Sequence, residues 1–512
     1  MKNFKYVLNL NELGEKMKGN ILFGGKAGQG PNFLSQVLGK ALVKQGYYVF
    51  YSRDYQSLIR GGHNFNVLTF SDEPVYSNEK KLDILVALDE NTEKIHKENL
   101  KPEGILLDGV HSNTYFLGLL FKILNFDFSL LEVELKEIGQ KFEENLAEAK
   151  KGYNAAAISI QIPRVKSQKF RFLNGNQGIS EGAIKSGLDV YYAYPMTPAT
   201  TILSELAQKQ EKNSFLTLEL ENEIAVINAG IGSAMTGAKS MVGTSGGGFD
   251  LMSESLSLIG IAEIPMVIAL IQRTGPGTGV ATYNTQGDLD IARHGGHGEF
   301  NRLVFAPGDP KEAEELTSQA FYFSQKYKVP VIILGDKHVG ESFYTILGES
   351  EITSSKKSTE LIRYNSYEKD EEGSATENPK RVIENINKRS EKMRDIEKEA
   401  SGFKQYKIYG KSNSKNIVLS WGSTKGAIID AIQGLDCRFM QIVYMEPFSK
   451  EIKKLLENKN IILIENNSTA QMGKLLAEKT GIIIDDENKV LRYDARPFLC
   501  DELKEEIKRR LK

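Results

Sequence analysis

Three glutamates stand at alternate positions, Glu219, Glu221 and Glu223, ahead of a run of small and apolar residues, IAVINAGIGSAMTGAK. Acidic side chains favour helix N-termini, so a solvated helix start is one interpretation of this pattern. The small residues after Glu223 instead indicate a closely packed helix, which would leave a carboxylate at its start partly desolvated. Because a desolvated carboxylate can hold or transfer a proton, Glu223 is a candidate acid–base residue.

Two prolines, Pro195 and Pro198, flank Met196 and Thr197 in the segment YPMTPAT, which follows the apolar run DVYYA. Proline fixes its own backbone φ angle. This stiffened turn would therefore present the hydroxyls of Thr197 and Thr200 in the crevice where open α/β sheets bind ligands. A proline-stiffened loop whose threonines only cap a helix is the alternative.

Arg273 follows the apolar run MVIALIQ and precedes a glycine-rich loop that contains Thr278 and leads to Thr282. A strand that delivers an arginine into such a loop suits a carboxylate clamp, because a guanidinium group binds a carboxylate through two parallel hydrogen bonds. Further along, RHGGHG places His294 and His297 close together without a matching set of carboxylates or cysteines. We therefore expect these histidines to form hydrogen bonds rather than to bind a metal.

The amino-terminal part has a glycine loop of its own, GGKAGQG, between a strand-like run and a helix-like run. Backbone N–H groups at a helix start favour phosphate, and Asp54 follows the next strand-like run, as in a loosely matching dinucleotide site. The spacing of Gly25, Gly28 and Gly30 fits neither the Walker A loop nor the G-x-G-x-x-G pattern. A tight turn without a ligand is the other interpretation.

The composition is that of a soluble globular protein, with 512 residues, 40% hydrophobic residues, 26% charged residues and a formal net charge of −2. Nucleic-acid binders usually carry a basic excess, so no nucleic-acid partner is predicted. The two cysteines, Cys437 and Cys500, cannot form a disulfide framework or hold a cluster by themselves, and a reducing, cytoplasmic setting is expected. No membrane contact is expected, since MKNFKYVLNL lacks the apolar core of a signal peptide and IAEIPMVIALI is too short to span a bilayer.

Strand-like and helix-like runs alternate along most of the chain, which predicts an α/β fold built on parallel, doubly wound sheets. A first α/β unit begins at NILFGG, a second near FRFLNGNQG and a third at NIVLSWGS. A charged segment separates the second unit from the third and ends in NPKRVIENINKRSEKMRDIEKEA. Mixed charges of this kind predict a linker with one solvated helix.

Several of these motifs, in this order, resemble the α subunit of the 2-oxoacid:ferredoxin oxidoreductases, in the form whose γ domain is fused at the amino terminus. GGKAGQG and DYQSLIRGG are similar to the γ domain. In the centre, YPMTPAT is similar to the family's YPITPST, ENEIAVINAGIGSAMTGAK to its EDEIAAINAAIGAS-type helix, and QRTGPGTGVAT to its RTGPSTGLPT. GTSGGGFDLMSE resembles TSGPGFSLMxE, and WGSTKGAI, ENNSTAQM and YDARPF complete the carboxy-terminal part. The form that uses 2-oxoglutarate looks most similar.

The resemblance implies an α/β protein of three domains and a linker. These are a γ-type domain over residues 1–165, a thiamine diphosphate pyrimidine-binding domain over 166–345, a charged linker with a helix over 346–405, and a transketolase C-terminal-like domain over 406–512. It also implies an enzyme. The reaction would be oxidative decarboxylation of a 2-oxoacid, with 2-oxoglutarate as the best guess, using CoA to give acyl-CoA, CO2 and reduced ferredoxin.

Further implications concern cofactors and partners. Thiamine diphosphate would be shared with a β subunit, which is expected to carry the Mg²⁺–diphosphate site and the iron–sulfur cluster in an (αβ)2 assembly. This chain itself is expected to bind no metal. Two alternatives remain open: specificity for pyruvate or a branched-chain 2-oxoacid within the family, and a non-catalytic nucleotide-binding scaffold outside it.

The resemblance also assigns roles to individual residues. Glu223 matches the position that hydrogen-bonds N1′ of the aminopyrimidine ring, where a carboxylate favours the imino tautomer that removes the thiazolium C2 proton. Thr197, Arg273 and Thr282 match positions that hold the carboxylate and carbonyl groups of the 2-oxoacid. The remaining expected contacts are to the cofactor at Tyr194 and Pro195, and to CoA or an interface at Gly25, Gly28, Gly30 and Arg60.

Overall fold

The computed structural model describes residues 17–56, 62–139, 141–157, 160, 162, 165, 169–357 and 365–512. Arg60, which the resemblance assigns to a CoA contact or an interface, lies outside these residues. The chain divides into two compact units. The first unit contains Met1–Leu173, Ser342–Gly348 and Leu499–Leu503, and the second contains Asn174–Glu341, Glu349–Phe498 and Lys504–Lys512.

Strands and helices alternate in both units. The strands defined in the described residues are β1 (Lys18–Gly25), β2 (Tyr48–Asp54), β3 (Asn64–Ser71), β4 (Leu82–Ala87), β5 (Leu100–Leu107), β6 (Phe170–Asn174), β7 (Val190–Ala193), β8 (Leu216–Glu219), β9 (Ser240–Thr244), β10 (Met266–Gln272), β11 (Leu303–Phe305), β12 (Pro330–Asp336), β13 (Phe343–Leu347), β14 (Tyr406–Gly410), β15 (Asn416–Trp421), β16 (Arg438–Ile442), β17 (Tyr444–Glu446), β18 (Asn460–Glu465) and β19 (Lys489–Leu491). The α-helices are α1 (Pro31–Lys44), α2 (Glu90–His96), α3 (Asn113–Ile123), α4 (Phe128–Ile138), α5 (Phe142–Ala155), α6 (Gly175–Lys185), α7 (Thr200–Asn213), α8 (Glu223–Met235), α9 (Gly246–Leu251), α10 (Ser253–Ala262), α11 (Leu289–His294), α12 (Pro310–Tyr327), α13 (Lys337–Glu341), α14 (Pro379–Ala400), α15 (Thr424–Ala431), α16 (Glu451–Leu456), α17 (Gln471–Thr480) and α18 (Cys500–Lys508). Within the described ranges, none of these helices has the length and apolar character needed to cross a membrane.

The first unit is built on a seven-stranded sheet in the order β5-β4-β1-β3-β2-β13-β6. β4 is parallel to β1 and β5, whereas β3 is antiparallel to both β1 and β2. The prediction of a parallel sheet is therefore wrong for this part of the chain. The physical reason is the connection: only nine residues separate β2 from β3, and parallel neighbours need a crossover of about a dozen residues or more.

The second unit contains two further sheets. The central sheet has seven strands in the order β17-β11-β12-β10-β9-β7-β8, parallel except for β17, which runs antiparallel to β11. The third sheet has five strands in the order β14-β16-β15-β18-β19, parallel except for β14. β10 and β12 are buried at every position, as expected for strands that are covered by helices on both faces. Three sheets with interleaved helices confirm the α/β fold class.

The predicted helix of the charged linker is present as α14. Asn378 caps it by accepting a hydrogen bond from the backbone N–H of Lys380 at 3.0 Å. Most residues of α14 are exposed or half-buried, but Ile396 and Ala400 are buried in a core that includes Phe321 of α12. The helix is therefore docked along one stripe instead of being solvated all round. The domain boundaries drawn from the sequence remain a prediction.

A buried cluster of charges connects α12 of the central sheet with the third sheet. Glu312 is 1% exposed, and its Oε1 accepts hydrogen bonds from the ammonium groups of Lys425 at 2.6 Å and Lys407 at 2.8 Å. Its Oε2 accepts from the backbone N–H of Gly308 and the side-chain amide of Gln441, each at 2.7 Å. Burial raises the pKa of the Glu312 carboxyl, but the two lysines outweigh burial and lower that pKa to about 2. Each oxygen of this buried carboxylate thus accepts two hydrogen bonds.

We predict that Lys425→Met lowers the midpoint of thermal unfolding. Removing one partner of a buried ion pair costs about 3–5 kcal/mol, because the remaining charge on Glu312 stays buried with less compensation. Since the pKa of Glu312 lies below its usual 4.5, the stabilisation is complete above about pH 4.5 and is lost as the pH falls towards 2. Scanning calorimetry from about pH 3 to about pH 8 should show a constant gap between wild type and variant above pH 4.5 that narrows in acid.

The matched control is Lys404→Met, which removes an exposed lysine that lies 3.7 Å from Glu351. Exposed ion pairs contribute about 0–1 kcal/mol, so this variant should unfold close to the wild-type temperature. Equal midpoints for the two lysine variants would contradict the importance given to the buried cluster.

Candidate active site

The loop YPMTPAT joins β7 to α7 in the second unit. Tyr194 is 40% exposed at the end of the strand, and Pro195 and Thr197 are half-buried. Asn176 on α6 anchors the loop, because its side-chain amide donates to the carbonyl oxygen of Pro198 at 2.9 Å. The Oδ1 atom of Asn176 is buried and has no hydrogen-bond partner among the described residues. The loop is therefore held by a side chain that the sequence analysis did not single out.

Arg273 lies directly after β10 and is half-buried. Its Nη1 donates to the carbonyl oxygen of Thr197 at 2.9 Å, so the structure brings together two residues that the sequence predicts separately. Burial lowers the pKa of Arg273 from its usual 12.5, while the carboxylates of Asp288 and Glu223 raise it. A guanidinium group stays charged in such surroundings and has five N–H donors. One bond to the backbone thus leaves donors for a carboxylate.

Glu223 is the first residue of α8, and Asn222 caps that helix by accepting from the backbone N–H of Ala225 at 2.9 Å. Glu219 and Glu221 are exposed, but Glu223 is only 4% exposed. Its Oε1 atom is buried and has no hydrogen-bond partner among the described residues. Buried polar atoms nearly always have a partner, so this oxygen is available to accept a hydrogen bond from a ligand. The carboxylate is desolvated, as the run of small residues predicts, and its catalytic role stays a prediction.

Two of the three glycines at the start of α9, in the motif GGG of GTSGGGFD, lie against carboxyl groups. A Cβ atom on Gly248 would lie 2.7 Å from Cγ of Glu223, and a Cβ atom on Gly246 would lie 2.6 Å from Oδ2 of Asp288. Ordinary contacts between carbon atoms are about 3.5–4.0 Å. A side chain at either position would force a neighbouring group to shift, so close approach, and not backbone conformation, favours glycine there.

Asp288 is a site residue that the sequence analysis missed. It precedes α11, and its backbone N–H donates to Oε1 of Gln272, the last residue of β10, at 2.9 Å. Its Oδ2 atom is buried without a hydrogen-bond partner among the described residues, as is Oε1 of Glu223. Burial and the carboxylate of Asp250 raise the pKa of Asp288 to about 6, against the lowering effect of Arg273. In the sequence, an aspartate ahead of a helix looks like a cap, and no spacing distinguishes that role from a place in the site.

The third sheet supports the segment that carries Asp288. The backbone N–H of Gln286 donates to the carbonyl oxygen of Asn466, and the backbone N–H of Asn466 donates to Oε1 of Gln286, each at 2.8 Å. The side-chain amide of Gln286 also donates to the carbonyl oxygen of Trp421 at 2.8 Å. The motifs WGSTKGAI and ENNSTAQM therefore hold residues 284–288 in place.

Thr282 lies in the loop between β10 and α11, which also carries Thr278. The loop closes on itself, because the backbone N–H of Val280 donates to the carbonyl oxygen of Thr274 at 3.0 Å. Thr282 comes two residues after Val280 and is half-buried. Its contact with a substrate stays a prediction.

The two histidines of RHGGHG are exposed. Nδ1 of His294 lies 3.1 Å from the carbonyl oxygen of Asp290, and the backbone N–H of His297 donates to Oγ of Ser257 at 2.8 Å. In the described part of the chain, no group of three or more His, Cys, Asp or Glu side chains is placed to hold a metal ion. The geometry of His294 agrees with the expected hydrogen-bonding role.

In the first unit, the loop GGKAGQG connects β1 to α1. Gly28 and Gly30 have φ angles of +92° and +86°, a conformation that favours glycine. Gln29 closes the loop, because its Oε1 accepts from the backbone N–H of Lys26 at 2.6 Å. Backbone conformation alone thus accounts for two of the glycines. A contact of CoA with Gly25, Gly28 and Gly30 stays a prediction.

We predict that Gly248→Ala destabilises the protein more than Gly247→Ala. The added methyl group would lie 2.1 Å from Oγ1 of Thr244 and 2.7 Å from Cγ of Glu223, and overpacking of this kind costs about 1–3 kcal/mol. Gly247 is the matched control in the same helix, because nothing lies within 4 Å of a Cβ atom there. Thermal unfolding of both variants beside the wild type checks the prediction. Equal midpoints would show that α9 can move away from Glu223 at little cost.

Two protein-family models match the chain. The one described as pyruvate flavodoxin/ferredoxin oxidoreductase, thiamine diphosphate-binding, matches residues 181–407, which include Glu223 and Arg273. The one described as pyruvate ferredoxin/flavodoxin oxidoreductase matches residues 20–109. Together the two matches cover more than half of the chain.

Curated relatives agree with these matches. A 2-oxoacid:ferredoxin oxidoreductase subunit alpha from Sulfolobus sp is 29% identical over 96% of this chain and 96% of its own length. The 2-oxoglutarate synthase subunit KorA of Methanocaldococcus jannaschii is 28% identical over 58% of this chain and 89% of its own length. The KorA subunit of Archaeoglobus fulgidus is 39% identical over 34% of this chain and 50% of its own length.

Among solved structures, the chain is similar to a 2-oxoglutarate:ferredoxin oxidoreductase from Magnetococcus marinus, solved with 2-oxoglutarate, coenzyme A and succinyl-CoA bound. The TM-score is 0.88 at 23% identity, and the match covers 97% of this chain and 100% of that chain, so the two share a fold. Family models, relatives and fold agree on one assignment. Over nearly its whole length, the chain is similar to alpha subunits of 2-oxoacid:ferredoxin oxidoreductases, and both family models are of this kind.

Proposed function

We propose that this chain is the α subunit of a thiamine diphosphate-dependent enzyme that decarboxylates a 2-oxoacid, transfers the acyl group to CoA and passes the electrons to ferredoxin. 2-Oxoglutarate is the substrate we favour, because two relatives are named 2-oxoglutarate synthase and the Magnetococcus marinus enzyme was solved with 2-oxoglutarate. The observation that carries the proposal is the buried Oε1 of Glu223, which has no hydrogen-bond partner among the described residues.

Pyruvate is the second candidate substrate, since both family models carry pyruvate in their descriptions. The proposed clamp of Arg273 and Thr197 would bind the carboxylate that every 2-oxoacid has. It therefore does not discriminate between 2-oxoglutarate and pyruvate. A branched-chain 2-oxoacid is the third possibility on the same chemistry. A non-catalytic scaffold is disfavoured, because a buried carboxylate oxygen without a partner is costly unless a ligand satisfies it.

The residues at the starts of α8 and α9 fit the aminopyrimidine part of thiamine diphosphate. Glu223 offers a buried oxygen without a partner among the described residues, and Gly248 keeps the space beside it free of a side chain. When bound, thiamine diphosphate supplies the nucleophilic carbon that attacks the carbonyl group of the 2-oxoacid. Glu223 would hold a proton at ring nitrogen N1′ through a charge-assisted hydrogen bond. Tyr194 and Pro195, just after β7, would contact the same cofactor.

Arg273 would bind the carboxylate of the 2-oxoacid. Its bond to the carbonyl oxygen of Thr197 fixes the guanidinium group relative to the YPMTPAT loop, and partial burial strengthens its attraction for an anion. The hydroxyl groups of Thr197 and Thr282 would donate to the carboxylate or carbonyl oxygens of the same substrate. These three residues would orient the substrate while Glu223 serves the cofactor.

The rest of the active site belongs, in this proposal, to a β subunit. Iron–sulfur clusters are usually held by four cysteine thiolates, and this chain has two cysteines, Cys437 and Cys500, both buried. We therefore assign the Mg²⁺–diphosphate site and the cluster to the β subunit, in an (αβ)2 assembly that reduces ferredoxin in the cytoplasm. A CoA contact at the glycine loop of the first unit is part of the same proposal.

The test is reconstitution. The chain alone should not reduce a viologen dye in the presence of a 2-oxoacid and CoA, and the complex purified with its β subunit should. Parallel assays with 2-oxoglutarate, pyruvate and a branched-chain 2-oxoacid measure kcat/KM for each, with the highest value expected for 2-oxoglutarate. Turnover by the chain alone, or a complex that oxidises none of the three acids, would overturn the proposal.

We predict that Glu223→Gln slows activation of thiamine diphosphate in that complex by about 10²–10⁴-fold, the range for losing a positioned acid–base group. Glutamine keeps the size of the side chain but lacks the negative charge that holds a proton at N1′. Exchange of the C2 hydrogen of bound thiamine diphosphate, followed by NMR, measures the effect directly. Glu221→Gln changes an exposed glutamate two residues away and should exchange at the wild-type rate. The same rate in Glu223→Gln would remove Glu223 from the mechanism.

A further inference from the structure

Asp288 is the second carboxyl group of the candidate active site, and the proposed function gives it no role. Its Oδ2 atom is buried without a hydrogen-bond partner among the described residues, against Gly246, where a Cβ atom would lie 2.6 Å away. Its backbone is bonded to Gln272, whose side-chain amide donates to the carbonyl oxygen of Gly335 at 3.0 Å. The backbone of Asp288 is therefore fixed by the central sheet, and α9 lies directly against its carboxyl group.

The charges around Asp288 are unbalanced. One cation, Arg273 at the end of β10, interacts with two carboxyl groups: Asp288 before α11 and Glu223 at the start of α8. Asp250 on α9 adds a further negative charge beside Asp288. A 2-oxoacid bound to Arg273 would bring at least one more negative charge. Protonation of Asp288 is the simplest way to relieve this excess, because a neutral carboxyl group tolerates burial far better than an ionised one.

We propose that Asp288 takes up a proton from solvent when a 2-oxoacid binds, so that substrate binding is coupled to protonation of this residue. One O–H bond forms on the carboxyl group when the substrate binds and breaks when the site empties, and no other bond changes. Asp288 is a positioning residue that acts through Arg273, since its charge sets how strongly that guanidinium attracts a carboxylate. The inference rests on the proposed function, because it takes Arg273 as the group that binds the substrate carboxylate.

The direction of the pH dependence follows from the surroundings. Burial, with a contribution from Asp250, raises the pKa of Asp288 to about 6, and Arg273 opposes this shift. A substrate carboxylate would offset the charge of Arg273 and raise that pKa further. Below about pH 6 Asp288 is protonated with or without substrate, so affinity is constant. Above about pH 6, Asp288 in the free site is ionised and must gain a proton for the substrate to bind tightly. The affinity of the site for the substrate therefore falls as the pH rises.

The experiment uses the complex with its β subunit, loaded with thiamine diphosphate, and glutarate, a dicarboxylate that lacks the reactive oxo group. Titration calorimetry near pH 7 in two buffers of different ionisation enthalpy measures the protons taken up on binding. We expect a large fraction of one proton, and an affinity that falls roughly five- to tenfold between about pH 6 and about pH 7.5. Asp288→Asn keeps the shape of the side chain but cannot titrate, and should remove both effects.

Two further variants make the result specific. Asp250→Asn removes a neighbouring negative charge, so it should keep the proton uptake and move the pH dependence to lower pH. Asp290→Asn, two residues further along and inside α11, is the matched control and should behave as wild type. Proton uptake that persists in Asp288→Asn, or is missing in the wild type, would overturn the inference. A wild-type complex that oxidises no 2-oxoacid would instead overturn the proposed function, so the two failures are distinguishable.

Discussion

The buried carboxylate of Glu312 is one of the points at which the two sheets of the second unit are joined. α12 carries it, whereas Lys407 lies on β14 of the third sheet and Lys425 on α15, the helix that follows β15. A buried ion pair is a modest source of net stability, because desolvation offsets much of the attraction between the charges. The main effect of the cluster is on the position of the third sheet relative to α12. Four donors must meet on one carboxylate, which restricts how the third sheet can pack on α12.

This restriction matters for the candidate active site, because the third sheet holds part of it. The bonds from Gln286 to Asn466 and Trp421 require the ends of β15 and β18 to lie beside residues 284–288. The segment that these bonds hold leads directly into Asp288, which acts on Arg273 through its charge. The groups proposed to meet the substrate thus belong to the central sheet, while the third sheet holds the neighbouring segment that leads into Asp288.

Local chemistry determines the parts of the site that could be predicted from the sequence. The prolines of YPMTPAT restrict the backbone, and the small residues after Glu223 permit close packing, so both effects act within one element. Contacts between distant elements could not be predicted in this way: Arg273 and Thr197 are 76 residues apart, and Asp288 resembles an ordinary cap. The antiparallel pairing of β2 with β3 was missed for a related reason, since it depends on the length of a connection and not on the pattern of either strand.

Strand β17 completes the central sheet from a distant part of the chain. It pairs with β11 through Val304 with Glu446 and Phe305 with Tyr444, and the rings of Phe305 and Tyr444 stack with centroids 4.1 Å apart. During synthesis, β11 leaves the ribosome about 140 residues before β17, which corresponds to roughly 10 s of translation. For that time β11 has an open edge of N–H and C=O groups, the kind of surface on which strands from other chains can pair. The nascent chain therefore passes through a stage at which this edge of the central sheet is open to pairing with strands from other chains.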